Sequence, residues 1–289
     1  YDCLIKIAYS SESSKNNRKL AEYIHFNYNH IVFMNASELA EAVGVSQPTV
    51  TRFVSNILGF QGYSQFIKFL QGILRTEITS SERYIMSSRQ HETDIEKVIY
   101  REIEQLEKIK EDISPEKIQH IASEIAKSKT IYIIGYRTGH APAKYLQFFL
   151  SKIHEDVRIS THPDSVFYDD LYKLNRNQTI VILLAFPRYP KELINTIRFL
   201  KRENFKLITI TDSLNLENWG ICECTLITPY TMATFFDSFV PTFCVLNLLI
   251  DAVGKIDTKK TKNMLDNLEK MYNNEQIFFS MAEINGKEN

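Results

Sequence analysis

Apolar residues recur three and four positions apart through the first quarter of the chain, then give way to short, near-continuous apolar runs. Leu20, Ala21, Ile24 and Tyr28 have the spacing of one helix face. Leu39, Val43, Val45, Val50 and Phe53 supply a shared core for two short helices that cross over a tight turn. A polar connector follows, loose around Thr79, Ser80, Ser81, Ser87 and Ser88. Ile95, Val98, Ile99, Ile103, Leu106 and Ile109 then predict an amphipathic helix. From Pro115 the pattern alternates, and Ser114 is placed to cap the helix that Pro115 opens. Apolar runs at Thr130–Ile134, Val157–Ser160, Thr179–Leu184, Lys206–Ile210 and Cys224–Ile227 predict strands. Pro142–Ile153, Ser165–Leu174, Lys191–Asn204 and Phe235–Val253 predict the helices between and after them.

Strands alternating with helices predict a parallel sheet covered on both faces. The fold class expected is therefore α plus α/β, an all-helical head joined to a doubly wound five-stranded parallel sheet. The boundaries expected are residues 1–75 for the head and 76–112 for a linker and connecting helix. The sheet domain takes 113–255, and 256–289 holds a last helix, around Met264 to Tyr272, and a tail.

Composition narrows the class. Over 289 residues, 44% are hydrophobic and 24% charged, the balance of a globular chain with ample material for a core and not of a disordered one. The formal net charge is −1, so affinity for nucleic acid has to come from a local basic surface. The most apolar stretch, Phe235–Val253, carries Asp237, Pro241, Asn247 and Asp251, which suits a buried helix and not a membrane span. No signal-peptide pattern opens the chain, which starts at Tyr1 as a processed or trimmed chain does. Cys3, Cys222, Cys224 and Cys244 form no C-x-x-C pair and no Cys/His ligand spacing. They are expected to be reduced, buried thiols of a cytoplasmic protein, with no metal and no cofactor.

The segment from Ala36 to Phe53 carries the sharpest signal. Ala40 is small where two helices approach closely, and Gly44 sits where the turn favours a left-handed backbone. Ser46 is placed as an N-cap, and Pro48 falls in the first turn, where a missing N–H costs little. The second helix then presents Gln47, Thr49, Thr51 and Arg52 near its N-terminus, types suited to base edges and phosphates. Ser46, Lys68 and the turn from Gly59 to Tyr63, with Gln61 inside it, offer backbone contacts. The candidate DNA-binding set is Ser46, Gln47, Pro48, Thr49, Thr51, Arg52, Gln61 and Tyr63. The competing account is a helical hairpin of an ordinary protein whose polar residues are simply solvated.

Residues 46–53, Ser-x-x-Thr-Val-x-Arg-Phe, and 58–63, Leu-Gly-Phe-x-Gly-Tyr, resemble the amino-terminal domain of the RpiR-type bacterial transcription regulators. The resemblance implies a second part, a sugar isomerase (SIS) domain that senses a ligand, and the alternating section fits it in length and order. It implies a double-stranded operator, a small anionic effector such as a phosphosugar, and a homodimer or dimer of dimers with no membrane partner. Residues 92–112 are a candidate for part of the dimer contact.

In a doubly wound sheet, ligands sit beyond the carboxyl ends of the strands. Two loops there carry candidates. Gly135-Tyr-Arg-Thr-Gly-His140 offers Gly135 and Gly139 for close backbone approach, with Arg137 and Thr138 as donors. Ala185-Phe-Pro-Arg-Tyr-Pro-Lys191 offers Arg188, Tyr189 and Lys191, and Asp212 follows the next strand. By position these match the phosphosugar loops that the resemblance implies, with departures. Arg137 stands in place of a second glycine and Gly139 in place of a serine, and two prolines remove N–H donors from the second loop. Arginines can still grip a phosphate or carboxylate bidentately. Arg137 and Arg188 have an alternative use as ion-pair partners of Asp237 or Asp212, or at a dimer interface. The alternative function is an SIS-type sugar-phosphate isomerase or lyase, with His140, Glu192 and Asp212 as acid–base candidates. No catalytic residue is assigned, because nothing in the sequence compels a pairing among them.

Overall fold

The computed structural model describes residues 13–32, 34–67, 69–70, 79–88, 95–212, 224–229 and 236–279. The chain divides into two compact units, Tyr1–Glu82 and Arg83–Asn289.

In the first unit α1 spans Lys15–Ile31, α2 Ala36–Val43 and α3 Gln47–Arg52. Leu20, Ala21 and Ile24 of α1 are fully buried, as is Leu39 of α2, and Val50, Phe53 and Val54 are buried as well. Val43 and Val45 are only half-buried, because they sit at the rim where the chain turns. The turn is built from local rules. Asn35 accepts from the N–H groups of Ser37 and Glu38 at 2.9 and 3.0 Å, and Glu38 returns a bond to the Asn35 N–H at 2.7 Å. This reciprocal box fixes the start of α2. Gly44 ends it at φ 72°, the left-handed conformation that glycine adopts without strain. Ser46 takes the N-cap position of α3, but its hydroxyl meets Thr49 Oγ1 at 2.7 Å and makes no side-chain cap to the backbone. Pro48 occupies the first turn as expected. A π-helical stretch, Phe53–Ile57, continues α3, and Leu58 N donates to Phe53 O at 3.1 Å. Residues 63–67 and 69–70 are also helical.

α4, Ser80–Ser88, begins in the first unit and ends in the second, where α5 is Ile95–Asp112 and α6 Pro115–Lys127. Ser114 caps α6 through the Lys117 N–H at 3.2 Å. Then follow β1 Thr130–Gly135, α7 His140–Leu150, β2 Val157–Ser160, α8 Ser165–Lys173 and β3 Thr179–Ala185. After these come α9 Lys191–Arg202, β4 Lys206–Thr211, β5 Cys224–Ile227, α10 Val240–Ile256 and α11 Thr258–Asn274. All five expected strands form one parallel sheet in the order β2-β1-β3-β4-β5. α10 starts at Val240, later than the apolar pattern placed it, because Pro241 fits a first turn.

Every residue of β1 and β3 is buried, and their side chains sort by parity onto two cores. Ile131 and Ile133, with Ile180, Ile182 and Leu184, face a core shared with α5, α6, α7 and α10. Tyr132 and Ile134, with Val181, Leu183 and Ala185, face a core shared with α8 and α9. Cys224 and Cys244 are free and half-buried, less enclosed than the expected buried thiols.

Candidate functional sites

The α3 helix presents its polar residues on one side and its core on the other. Gln47, Pro48, Thr51 and Arg52 are exposed and Thr49 is half-buried, while Val50, Phe53 and Val54 face inward. Thr51 Oγ1 donates to the Gln47 carbonyl at 3.2 Å, which leaves its lone pairs outward. Arg52 makes no hydrogen bond or ion pair among the described residues. Ser46 is exposed at the helix start. The structure therefore brings Ser46, Gln47, Pro48, Thr49, Thr51 and Arg52 onto one short helix.

Gln61 and Tyr63 lie beyond it. Gln61 is exposed, and its N–H donates to Gln65 Oε1 at 2.6 Å. Tyr63 donates from its hydroxyl to the Met34 carbonyl at 3.1 Å. Burial, reinforced by Glu38, pushes the Tyr63 hydroxyl up to about 12. That bond ties the helical residues 63–67 to the segment ahead of α2. Lys68 lies outside the described residues.

The second site is set by topology. From β1 the chain steps to β2 on one side, while β3, β4 and β5 extend on the other, so the order reverses between β1 and β3. Two loops leave that switch point side by side, because Gly135 is paired with Leu184 and Ala185 with Thr211. A Cβ on Gly135 would lie 2.3 Å from Gly139 O and 2.5 Å from Ala143 Cβ. One on Gly139 would lie 2.7 Å from Leu184 O. Both glycines thus let the turn Arg137–Gly139 close over the ends of β1 and β3. Within that turn Arg137, at φ 50°, and Thr138 are exposed. In the second loop Arg188 and Lys191 are exposed and Tyr189 is half-buried.

The loops are anchored by other groups. Tyr189 donates to Asp212 Oδ1 at 2.5 Å, which pins the second loop to the end of β4. Tyr136 meets Thr196 Oγ1 at 3.2 Å inside the core, and burial holds its hydroxyl up at about 12. Phe186 packs edge-on against Phe239 at 5.1 Å. Asp237 is taken by Arg83 of α4 at 2.5 Å, a pair whose side chains are 5% and 11% exposed. Asp237 and Asp212 are therefore engaged by Arg83 and Tyr189, and neither serves Arg137 or Arg188. Those two guanidiniums make no hydrogen bond or ion pair among the described residues. The Arg83–Asp237 pair joins positions far apart in the chain, and no sequence motif announces it.

Comparison with known proteins places both units. Residues 3–77 match the helix-turn-helix domain of the rpiR family, and residues 124–252 match the SIS domain. The chain belongs to the RpiR-type regulators. This RpiR-type chain is 24% identical over 254 residues to an uncharacterised HTH-type transcriptional regulator of Clostridium perfringens, covering 84% of this chain and 88% of that one. It is 28% identical over 143 residues to another, of Providencia stuartii, covering 48% and 49% of the two chains. The sugar isomerase domain of an RpiR transcription factor from Sphaerobacter thermophilus shares the fold at a TM-score of 0.56 and 18% identity, over 60% of this chain and 96% of that one. The Vibrio vulnificus NanR protein, solved with ManNAc-6P, matches at 0.54 and 16% identity over 93% and 97%. No helix of the described residues is long and apolar enough to cross a membrane.

Proposed function

We propose that this regulator binds a double-stranded operator through α3 and senses a small anionic metabolite, of the phosphosugar class, at the carboxyl edge between β1 and β3. The observation that carries the effector half is the pair of exposed guanidiniums, Arg137 and Arg188, on the two loops that leave the switch point, neither of them paired among the described residues. A cation without a protein partner at a ligand crevice is available to an anion. Pro187 and Pro190 deprive the second loop of N–H donors, so charged side chains take the part that backbone amides play in a glycine-rich cradle. Thr138 and Lys191 add a hydroxyl and a further cation. Gly135 contributes closeness, and Tyr189 with Asp212 holds the loop in place. That NanR was solved with ManNAc-6P supports the phosphosugar class.

On this reading the protein is a sensor and not a catalyst. Asp212 is occupied by Tyr189, while His140 and Glu192 are exposed and unpaired among the described residues. Among the described residues no acid–base pair is assembled at the edge. A homodimer presents two α3 helices to a pseudo-palindrome, and the effector shifts DNA affinity because it prefers one arrangement of the dimer.

Thermal shift of the full chain against phosphorylated sugars, their unphosphorylated parents and simple carboxylates tests the effector. A phosphosugar stabilises the wild type and loses that effect in Arg188→Ala and Arg137→Ala. A shift retained in both variants, or no shift from any phosphorylated sugar, overturns the site. Incubation with the stabilising sugar returns it unchanged by NMR; turnover restores the isomerase or lyase account. Arg52→Ala weakens binding to a duplex selected from a random pool, and unchanged affinity removes Arg52 from the interface.

A further inference from the structure

α5 carries two apolar faces. Ile109 and Leu106 belong to the core that α5 shares with α10. Ile95, Ile99, Tyr100 and Ile103 do not, and are 47% to 69% exposed. The three isoleucines follow one another at four-residue steps, the ridge along which helices pack against helices. Single exposed apolar residues are ordinary, but a ridge of them marks an interaction surface. Glu96 and Lys110 stand seven residues before and after Ile103. Seven residues are close to two full turns, so both lie within about 20° of Ile103 around the helix. Ile99 and Glu107 lie within about 40° of it by the same rule. Glu96, Ile99, Ile103, Glu107 and Lys110 therefore form one stripe, and all five are exposed. Its centre is apolar and its two ends carry opposite charges. Neither Glu96 nor Lys110 makes a hydrogen bond or ion pair among the described residues.

We propose that this stripe is where two copies of the chain meet, α5 against the α5 of the partner, antiparallel, with the two-fold axis at Ile103. The inference rests on the reading that the regulator works as a homodimer, and gives that dimer a contact. In an antiparallel pair, positions equally far before and after the axis face each other. Glu96 of each copy meets Lys110 of the other, at roughly 10 Å on either side of the axis. Ile103 meets its own symmetry mate. Parallel pairing sets Glu96 against Glu96 and Lys110 against Lys110, and like charges in contact repel. The charge pattern is thus complementary to itself only when reversed, which is what a surface shared by two identical copies requires. An apolar centre between charged ends is also the anatomy of a protein interface.

Sedimentation of the full chain over a dilution series gives the dimer dissociation constant. Ile103→Lys puts two like charges at the axis and raises that constant roughly 100-fold. Glu96→Lys turns two attractive contacts into repulsive ones and raises it about 3- to 30-fold. Glu96→Lys combined with Lys110→Glu restores the attraction and returns the constant to within about 3-fold of the wild type. All three positions are exposed, so each variant keeps the wild-type circular dichroism spectrum. A wild-type dimer that Ile103→Lys leaves intact overturns the proposal, keeps the homodimer through another surface and leaves the stripe to a different partner. A dimer that Glu96→Lys leaves unchanged, or that the double reversal fails to restore, overturns the antiparallel pairing. A wild type that is monomeric at every concentration overturns the homodimer itself, and the pairing with it.

Discussion

Gly44 and Gly135 show how differently the two units of this chain are specified. Gly44 has nothing within 4 Å of the place where a Cβ would stand, yet its φ of +72° excludes most other residues. Gly135 needs no unusual torsion, yet a Cβ there would lie 2.3 Å from a backbone oxygen. One glycine supplies a conformation and the other supplies space. The head follows the first kind of rule: the Asn35–Glu38 box, the left-handed turn and Pro48 all act within a few residues. The sheet unit follows the second, through groups far apart in the chain such as Gly139 with Leu184, Tyr145 with Asn247 at 2.6 Å and Arg83 with Asp237.

If that division holds, the largest loss should come from breaking a distant pair. Arg83→Ala leaves the Asp237 carboxylate buried without its cation, at a cost of about 3 to 5 kcal/mol. Urea unfolding of the full chain should show the loss in the transition of the sheet unit. The paired change Arg83→Met with Asp237→Leu should return most of it, since the buried charge is then gone. A double variant as unstable as the single one would mean that the helix position, and not the charge, sets the cost.

The glycines give a direct contrast at smaller scale. Gly135→Ala should cost about 3 kcal/mol, because the atoms it meets are backbone and an α7 side chain that cannot move aside cheaply. Gly44→Ala should cost about 1 kcal/mol, the strain of a left-handed alanine with no clash. Equal costs, read from urea midpoints of the two variants, would break the distinction between torsion and space.

The same division explains what the sequence made legible. The helix-turn-helix could be read almost residue by residue, since its signals are periodicity, a glycine and a proline at fixed offsets. The strands were legible as apolar runs, most plainly β1 and β3, which are buried on both faces and so have no polar alternation to blur them. The capping box at Asn35 was present as Asn-x-x-Glu but lay one residue ahead of the segment that drew attention. The π-helical stretch after Arg52 has no local signature, and neither does the engagement of Asp237 by Arg83 or of Asp212 by Tyr189. Sequence offered both carboxylates as partners for Arg137 and Arg188; only the packed loops show them taken. What set the candidate effector site was therefore the removal of alternatives, and removal is a property of three-dimensional neighbours.

Buried tyrosines offer the finest comparison between the units. Burial raises Tyr132 and Tyr136 in the sheet unit, and Tyr63 in the head, from about 10 to about 12. Each fold favours the neutral phenol, so its stabilisation is intact below pH 10 and is lost as pH rises from 10 towards 12. At about pH 10.5 each tyrosine accounts for at most roughly 0.8 kcal/mol of loss, and partial solvation reduces the share of half-buried Tyr63. The sheet unit, with two such groups, should lose stability more steeply than the head. Urea midpoints followed from about pH 9 to pH 11.5 check this, with Tyr136→Phe flattening the sheet transition and Tyr63→Phe flattening only that of the head. If Tyr63→Phe alters both transitions equally, the two units unfold as one, and the contrast drawn from their glycines describes their local construction and not their stability.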